Sequence, residues 1–133
     1  MKKSLICRIF FFAACLFTLP SCSDDIDMDG TLWVSDIHTS DLGGGNVEER
    51  YGCMYFGKEY VSEYKIRRRN GSDWRSERVS CLKYSVDGNT ILFELFPNSN
   101  GIRVDGNMFS DGVYVYHRSN LDLMEVLLGR FSK

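Results

Sequence analysis

The sequence contains few of the residue patterns that catalytic or metal-binding sites require. Its 133 residues include two histidines, His38 and His117, which lie far apart and have no neighbouring partner motif. The chain has no C-x-x-C or H-x-x-x-H spacing for zinc, no serine-nucleophile elbow and no phosphate-binding loop. We therefore expect a protein that is not an enzyme and that has no metal or other cofactor.

The chain also lacks an excess of positive charge. Its formal net charge is −2, from 16 Lys and Arg residues against 18 Asp and Glu residues. The first 21 residues contain three of the basic residues and no acidic residue, so the rest of the chain carries −5. Nucleic-acid-binding domains are usually strongly basic. We therefore expect no nucleic-acid partner.

Residues 1–21 have the composition of a secretory signal. Lys2, Lys3 and Arg8 give a basic start, and the run from Ile9 to Leu19 is almost entirely apolar. A secretory signal has an apolar stretch of roughly 7–15 residues, whereas a membrane-spanning helix needs about 20. The segment is therefore predicted to be a signal helix that is cleaved after residue 21.

The residues at the end of this segment predict a lipid anchor. Leu19-Pro20-Ser21-Cys22 resembles the lipobox of bacterial lipoproteins, although Pro20 departs from the commonest choice at its position. The resemblance implies that Cys22 becomes the N-terminus and carries a diacylglyceryl thioether, often with an N-acyl chain such as palmitate. Several acyl chains anchor a protein stably in a membrane. An ordinary signal peptide followed by an incidental cysteine, or a buried apolar segment, is the alternative.

Residues 22–29 are predicted to form an acidic, flexible tether. Within them, the run from Ser23 to Asp27 resembles the Ser/Asp/Glu export signal that brings lipoproteins of some Gram-negative bacteria to the cell surface. A solvated tether on the periplasmic side is the alternative. We expect a lipid-anchored protein of the outer membrane or cell surface.

Two cysteines, Cys53 and Cys81, remain after residue 22. A disulfide between them is chemically allowed outside the cytoplasm. It requires Cα atoms within about 7 Å of each other, which sequence alone does not reveal. A bridge and two free thiols are both compatible with the sequence.

From Gly30 onward the sequence alternates and turns, with little helical periodicity. Tyr60, Tyr64 and Ile66 share one face of a predicted strand, as expected for a half-buried strand. Asp87-Gly88-Asn89 and Asp105-Gly106-Asn107 have the composition of hairpin turns. The pattern predicts one all-β domain of about eight antiparallel strands, at residues 31–38, 51–56, 60–68, 77–86, 90–96, 102–104, 113–117 and 121–128. A barrel is favoured over a sandwich because closure leaves no exposed edge.

Three short segments resemble small bacterial lipocalin-like lipoproteins. Gly30-Thr31-Leu32-Trp33 is similar to the lipocalin Gly-x-Trp motif with one extra residue, and residues 84–91 and 120–123 resemble recurring hairpins of that family. The resemblance implies an antiparallel up-and-down barrel in residues 30–133. It also implies that Trp33 fills the closed end of the barrel and that Arg130 covers its ring.

The first candidate site is a pocket inside this barrel for a small apolar or amphipathic ligand. Aromatic side chains either line such a pocket or fill it, because an eight-stranded barrel is only just wide enough for side chains or one small ligand. The candidate pocket residues are Trp33, Tyr60, Tyr64, Tyr84, Phe93 and Tyr116.

The second candidate site is a basic patch beside the turn sequence Asn70-Gly71-Ser72. Arginine forks and an exposed tryptophan suit an anionic glycan or the acidic surface of a partner protein. A solvated hairpin balanced by neighbouring carboxylates is the alternative. The candidate patch residues are Arg67, Arg68, Arg69, Trp74 and Arg75.

We therefore expect a lipid-anchored binding protein of the cell envelope that holds a small apolar or amphipathic ligand. The alternative is a protein-interaction module, such as an inhibitor of a secreted cysteine protease that resembles the staphostatins. Two glycine-containing segments, residues 41–46 and 110–113, are the candidate inhibitory loops.

Overall fold

The computed structural model describes residues 25–130, so the predicted signal segment and Cys22 lie outside the described residues. Within that range the chain forms nine strands and one short helix. They are β1 (Thr31–Ser35), β2 (His38–Gly43), β3 (Asn46–Phe56), β4 (Tyr60–Arg69), β5 (Arg75–Asp87), β6 (Thr90–Phe93), β7 (Ile102–Asp105), β8 (Met108–Ser110), β9 (Val115–Ser119) and α1 (Leu123–Leu127).

The strands form a single antiparallel sheet that closes on itself. Each strand from β2 to β9 pairs with the next along the chain, and β1 pairs with both β9 and β3. Because β1 and β2 lie end to end along β3, the barrel has eight strand positions. The predicted all-β, up-and-down barrel is confirmed, and its architecture is consistent with a lipocalin-like fold.

Aromatic side chains fill the interior of the barrel. The ring of Phe109 lies 4.9 Å from that of Trp33 and 5.1 Å from that of Tyr116, between centroids. Phe56 also packs edge-on against Phe109, at 6.3 Å. Aliphatic side chains complete this cluster of buried residues: Met28, Met54, Val61, Ile91 and Val104.

Residues 25–29 pack across one end of the barrel. The amide of Ile26 donates to the carbonyl of Gly88 at 2.9 Å, and the amide of Gly88 donates to the Asp25 carboxylate at 2.7 Å. The Met28 side chain is buried in the core. Asp25, Ile26 and Met28 are therefore in contact with the barrel.

The two ends of the barrel are distinguished by what they carry. We call the end that carries residues 25–30 the closed end; the turns β3–β4, β5–β6 and β7–β8 lie at this end. The opposite end, which carries the β4–β5 turn at residues 70–74, is called the open end.

The last predicted strand, residues 121–128, is wrong, because this segment contains α1. Leu123, Val126 and Leu127 are spaced as i, i+3 and i+4, and all three pack against the outer wall of the barrel. The hydroxyl of Tyr51 donates to the carbonyl of Val126, which fixes the helix to β3. No helix among residues 25–130 is long and apolar enough to cross a membrane.

Smaller differences concern individual strands. The predicted strand 31–38 breaks after Ser35 into β1 and β2, and β8 was not predicted. The strand expected at residues 113–117 begins at Val115, because the Asp111 carboxylate accepts the amides of Val113 and Tyr114 in a turn. The strand expected at residues 90–96 ends at Phe93, so Leu95 lies after β6, where it is 65% exposed.

Candidate ligand site

The six predicted pocket residues do not line one cavity. Trp33 and Tyr116 are fully buried in the barrel interior, and Tyr84 and Phe93 pack against the same cluster. Tyr60 and Tyr64 instead lie on the outer face of β4, where Tyr60 is 51% exposed and Tyr64 packs beside α1.

The barrel interior has hydrogen-bonded polar groups among its aromatic rings. The indole nitrogen of Trp33 donates to the Thr31 hydroxyl at 2.9 Å, and the hydroxyl of Tyr84 donates to the carbonyl of Gly57. Burial raises the pKa of Tyr84, with smaller contributions from the carboxylates of Asp29 and Asp27. Of four concave sites among residues 25–130, one of about 310 Å³ is lined by Tyr84 and Phe93, and none of the four is lined by Trp33 or Tyr116. The packing therefore favours filling over a ligand cavity.

Three arginines lie side by side at the open end. Arg67 in β4 is the direct cross-strand partner of Arg50 in β3 and of Arg75 in β5. Directly opposed residues of an antiparallel pair point to the same face, with Cβ atoms about 4.5–5.5 Å apart. We call Arg50, Arg67 and Arg75 the arginine row.

The arginine row lies on the inner face of the wall. Arg50 has the same parity along β3 as Met54 and Phe56, whose side chains fill the barrel. At the open end β3, β4 and β5 extend past the aromatic cluster, so the row stands above the filled interior. All three side chains are exposed to solvent.

The arginine row forms no ion pair within residues 25–130, whereas Arg69, one of the basic residues beside it, does. Arg69 pairs with Glu48 at 3.3 Å, and Lys65 lies directly opposite Glu77 in the β4–β5 register. None of the ion pairs within residues 25–130 includes a member of the row. Like charges that face each other directly across a sheet are destabilising. The row is therefore an electrostatically unfavourable arrangement in the free protein.

A concave site lies over the row. Its volume is about 380 Å³, and its lining includes all three arginines, Lys65 and Tyr114, together with the carboxylates of Glu48 and Glu77. A second depression of about 350 Å³ lies at the β4–β5 turn and shares Arg67 and Arg75 with the first. The row thus separates two adjoining depressions of the open end.

An aromatic pair forms part of the same end. The Tyr114 and His38 rings pack edge to face, with centroids 4.8 Å apart. His38 is the cross-strand partner of Arg50, so this pair continues the arginine row onto β2. The Asp111 carboxylate fixes the backbone on which Tyr114 stands.

The predicted basic patch divides between two faces. All four arginines of the patch border the depression at the β4–β5 turn, and Arg67 and Arg75 also border the concave site over the row. Arg68 points to the outer face, where it pairs with Glu49 at 2.8 Å and stacks 4.3 Å above the ring of Trp74. Arg68 therefore has structural contacts that the row lacks.

Trp74, which was expected to be exposed, is half-buried under the C-terminal segment. Its ring packs edge-on against Tyr51, with centroids 5.0 Å apart. Gly129 lies so close to the Trp74 ring that a Cβ atom there would clash with it. Arg130 follows Gly129 and is exposed, and the recorded arginine–aromatic stacking within residues 25–130 is that of Arg68 on Trp74. The expected cover of Trp33 by Arg130 is therefore not observed.

Tyr116 presents a buried polar atom below the open end. Its hydroxyl has no hydrogen-bond partner among the described residues, and a Cβ atom on Gly52 would lie 2.8 Å from it. Burial raises the pKa of Tyr116, and the nearby carboxylates of Asp111 and Glu63 raise it further. The glycine in the middle of β3 therefore makes room for this hydroxyl.

Cys53 and Cys81 are both free. Cys53 is buried on β3 and Cys81 is exposed on β5, with β4 between them. Two strand spacings place their backbones roughly 10 Å apart, which exceeds the reach of a disulfide. Burial raises the pKa of the Cys53 thiol to about 12, with a smaller contribution from Glu63.

The two candidate inhibitory segments are tight turns. Gly44 and Gly45 form the β2–β3 turn, and both have positive φ, as does Gly43 at the end of β2. Residues 110–113 lead into the β8–β9 turn and end at Val113, which is 76% exposed. Neither segment forms a long protruding loop.

Arg50 is the member of the site that the sequence did not reveal. It lies 17 positions before Arg67, in a different strand, and no local cluster marks it. The alternation of Arg50, Gly52 and Met54 was the available signal, since it places Arg50 on the inner face.

Comparison with known proteins assigns no function to this site. No protein-family model matches the chain. Comparisons with curated proteins and with solved structures also gave no significant match. Within residues 25–130, no three His, Cys, Asp or Glu side chains come together in a way that could hold a metal ion.

Proposed function

We propose that this chain is a lipid-anchored binding protein of the cell envelope that binds an anionic ligand at the open end of its barrel. The observation that carries this proposal is the arginine row. Three adjacent cations without carboxylate partners, beneath a concave surface, form a site that an anion would stabilise.

The position of the N-terminus supports a ligand site at the open end, because it places the proposed anchor at the opposite end of the barrel. Cys22, the proposed lipid attachment site, is three residues before Asp25, which is hydrogen-bonded at the closed end. Three residues span at most about 11 Å. An anchor at Cys22 would hold the closed end near the membrane and leave the open end facing away from it.

The filled interior favours this site over an apolar ligand inside the barrel. A ligand there would have to displace the rings of Trp33, Phe109 or Tyr116, which pack against one another. The expected amphipathic ligand remains compatible with the proposal if its anionic group binds at the row.

The test is a binding measurement on the purified protein with a set of anionic and neutral small molecules. Arg67→Ala should weaken binding of an anion at least tenfold, because Arg67 is the central member of the row. Arg103→Ala is the matched control, since Arg103 is exposed on β7 and pairs with Thr90, near the closed end. Equal binding by the two variants, or preferential retention of a fatty acid, would refute the proposal.

The lipid anchor is tested separately, by mass spectrometry of the protein from membranes. Processing should leave Cys22 as an acylated N-terminus. Cys22→Ala should abolish acylation. An unmodified Cys22 in the membrane-derived protein would exclude the anchor without affecting the binding site.

A further inference from the structure

The charge pattern around the arginine row indicates what kind of anion the open end accepts. We infer that the ligand is a sugar-sized molecule that carries one compact, tetrahedral oxyanion, a phosphate or sulfate ester, and that this group lies on the arginine row. The inference rests on the proposed function and adds the ligand class to it.

The first step concerns where the uncompensated charge lies. Along β4, Lys65, Arg67 and Arg69 share one face, but Lys65 is opposite Glu77 and Arg69 is paired with Glu48. Only the middle position has arginines on both sides. On this face of β4, the position at which arginine faces only arginine therefore lies in one row that crosses three strands.

The second step concerns the size of that row. Neighbouring strands are about 4.8 Å apart, so the backbones at the two ends of the row are separated by roughly 10 Å. Flexible arginine side chains converge over such a distance, and each guanidinium offers a fork that matches two oxygens of a phosphate or sulfate. One tetrahedral anion above Arg67 can therefore receive forks from both neighbours.

The third step excludes a long linear polyanion. Such a chain needs free cations at regular intervals along its path. On the same face of β4 as Arg67, Lys65 lies opposite a carboxylate and Arg69 is paired with one. These two carboxylates would repel a second and a third anionic group. The charge pattern therefore suits one compact anion at Arg67, with a carboxylate on each side of it along β4.

The fourth step concerns the rest of the ligand. The concave site of about 380 Å³ is at the small end of the range for small-molecule sites, roughly 300–1,000 Å³. Tyr114 lines it and packs against His38, so an aromatic edge and a phenol hydroxyl are available to a sugar ring. This volume suits a monosaccharide ester better than an oligosaccharide.

The experiment is a titration of the purified protein, monitored by NMR at the arginine Nε–H and backbone amide signals. The probes are glucose 6-phosphate, glucose 6-sulfate, glucose, glucuronate and polygalacturonate. We expect both esters to shift the signals of Arg50, Arg67 and Arg75, glucose to shift none of them, and glucuronate to bind more weakly than either ester.

Two variants at Arg67 separate charge from geometry. Arg67→Gln should weaken binding of glucose 6-phosphate at least tenfold. Arg67→Lys, which keeps the charge but not the fork, should recover only part of that loss. Arg103→Gln should bind as the unmodified protein does.

The outcomes distinguish this inference from the function beneath it. Tighter, Arg67-dependent binding of polygalacturonate than of either ester would overturn the compact anion and leave an anion-binding open end. Binding of glucuronate as tight as that of the esters would also overturn the tetrahedral group. If no anion shifts the row, both the inference and the proposed function fail.

Discussion

The two ends of the barrel differ in whether their polar groups have partners. At the closed end the Thr31 hydroxyl donates to the Met28 carbonyl at 2.6 Å and accepts from the Trp33 indole, so buried polar atoms are paired. At the open end Arg50, Arg67 and Arg75 face one another, and none of them forms an ion pair within residues 25–130. The closed end has the contacts of a stable core. The open end keeps an unfavourable arrangement, which is typical of sites that trade stability for binding.

The largest test of this comparison is the removal of the indole at the closed end. Trp33→Ala should lower the free energy of unfolding by about 3–5 kcal/mol, because a large buried side chain leaves a cavity that the barrel wall cannot close. The measurement is chemical denaturation followed by circular dichroism.

Tyr60→Ala is the control for Trp33→Ala. Tyr60 is also an aromatic residue of a barrel strand, but it lies on the outer face and is half-exposed. Its removal should cost far less. Equal losses for the two variants would mean that the closed end has no special role in stability.

The next effect concerns the boundary between the two ends, where Tyr116 lies over Gly52. Gly52→Ala should lower the free energy of unfolding by about 1–3 kcal/mol, because the added methyl group meets the buried Tyr116 hydroxyl. Tyr116→Phe should be neutral or stabilising, since it removes a hydroxyl without a partner among the described residues.

Combining the two substitutions gives the decisive measurement. In Gly52→Ala with Tyr116→Phe, the new methyl group meets ring carbons at 3.5 Å, which is ordinary van der Waals contact. The double variant should therefore recover most of the stability lost in Gly52→Ala. Simple addition of the two single effects would show that the hydroxyl is not the atom in conflict.

The closed end was the more predictable of the two ends. Leu82, Tyr84 and Val86 alternate with polar residues and pack against the core, and alternation directly indicates the buried face of a strand. The turns at Gly88 and Gly106 were also predictable, because glycine at positive φ suits a two-residue hairpin.

The arrangement of side chains at the open end depends on the pairing register of β3 and β4, which could not be read from the sequence. Arg67 and Arg75 are close in sequence and were found together, but Arg50 joins them only through the pairing of β3 with β4. Local charge clustering therefore revealed two members of the row and missed the third.

The C-terminal helix was mispredicted for a different reason. Leu121 and Leu123 alternate as in a strand, while Leu123, Val126 and Leu127 have helical spacing, and a segment of eight residues fits both patterns. The helix covers the outer wall of the barrel. The burial of Trp74 and of Cys53 beneath it could not be predicted without it.

A third prediction compares two parts of the outer wall of the barrel, one that α1 covers and one that it leaves exposed. The folded protein keeps the Cys53 thiol protonated up to a pKa of about 12, against 9.0 for an unperturbed thiol. Above pH 9 the unfolded chain releases a proton that the folded protein holds. The free energy of unfolding should therefore fall as the pH rises, by about 1 kcal/mol at pH 10 from this group.

Cys81 provides the control, because it is exposed on the uncovered wall. Denaturation at pH 7 and pH 10 should show a smaller alkaline loss in Cys53→Ala than in the unmodified protein or in Cys81→Ala. Iodoacetamide should modify Cys81 in the folded protein and leave Cys53 unmodified. Rapid modification of Cys53 would contradict the cover that α1 provides.

The smallest predicted effect tests the open end directly. Its expected sign is unusual, because removal of a charged side chain should stabilise the protein. Arg67→Gln should raise the free energy of unfolding by roughly 0.2–1 kcal/mol, since it removes the central charge of three that repel one another. The same change in Arg69 should not stabilise the protein, because Arg69 is paired with Glu48.

In about 1 M salt the screening length falls to ~3 Å, shorter than the strand spacing, so the gain from Arg67→Gln should largely disappear. A variant that is more stable in low salt and binds anions less well would show that the row is kept for binding. A loss of stability in Arg67→Gln at low salt would instead mean that the three arginines do not repel one another, and the contrast between the two ends would fail.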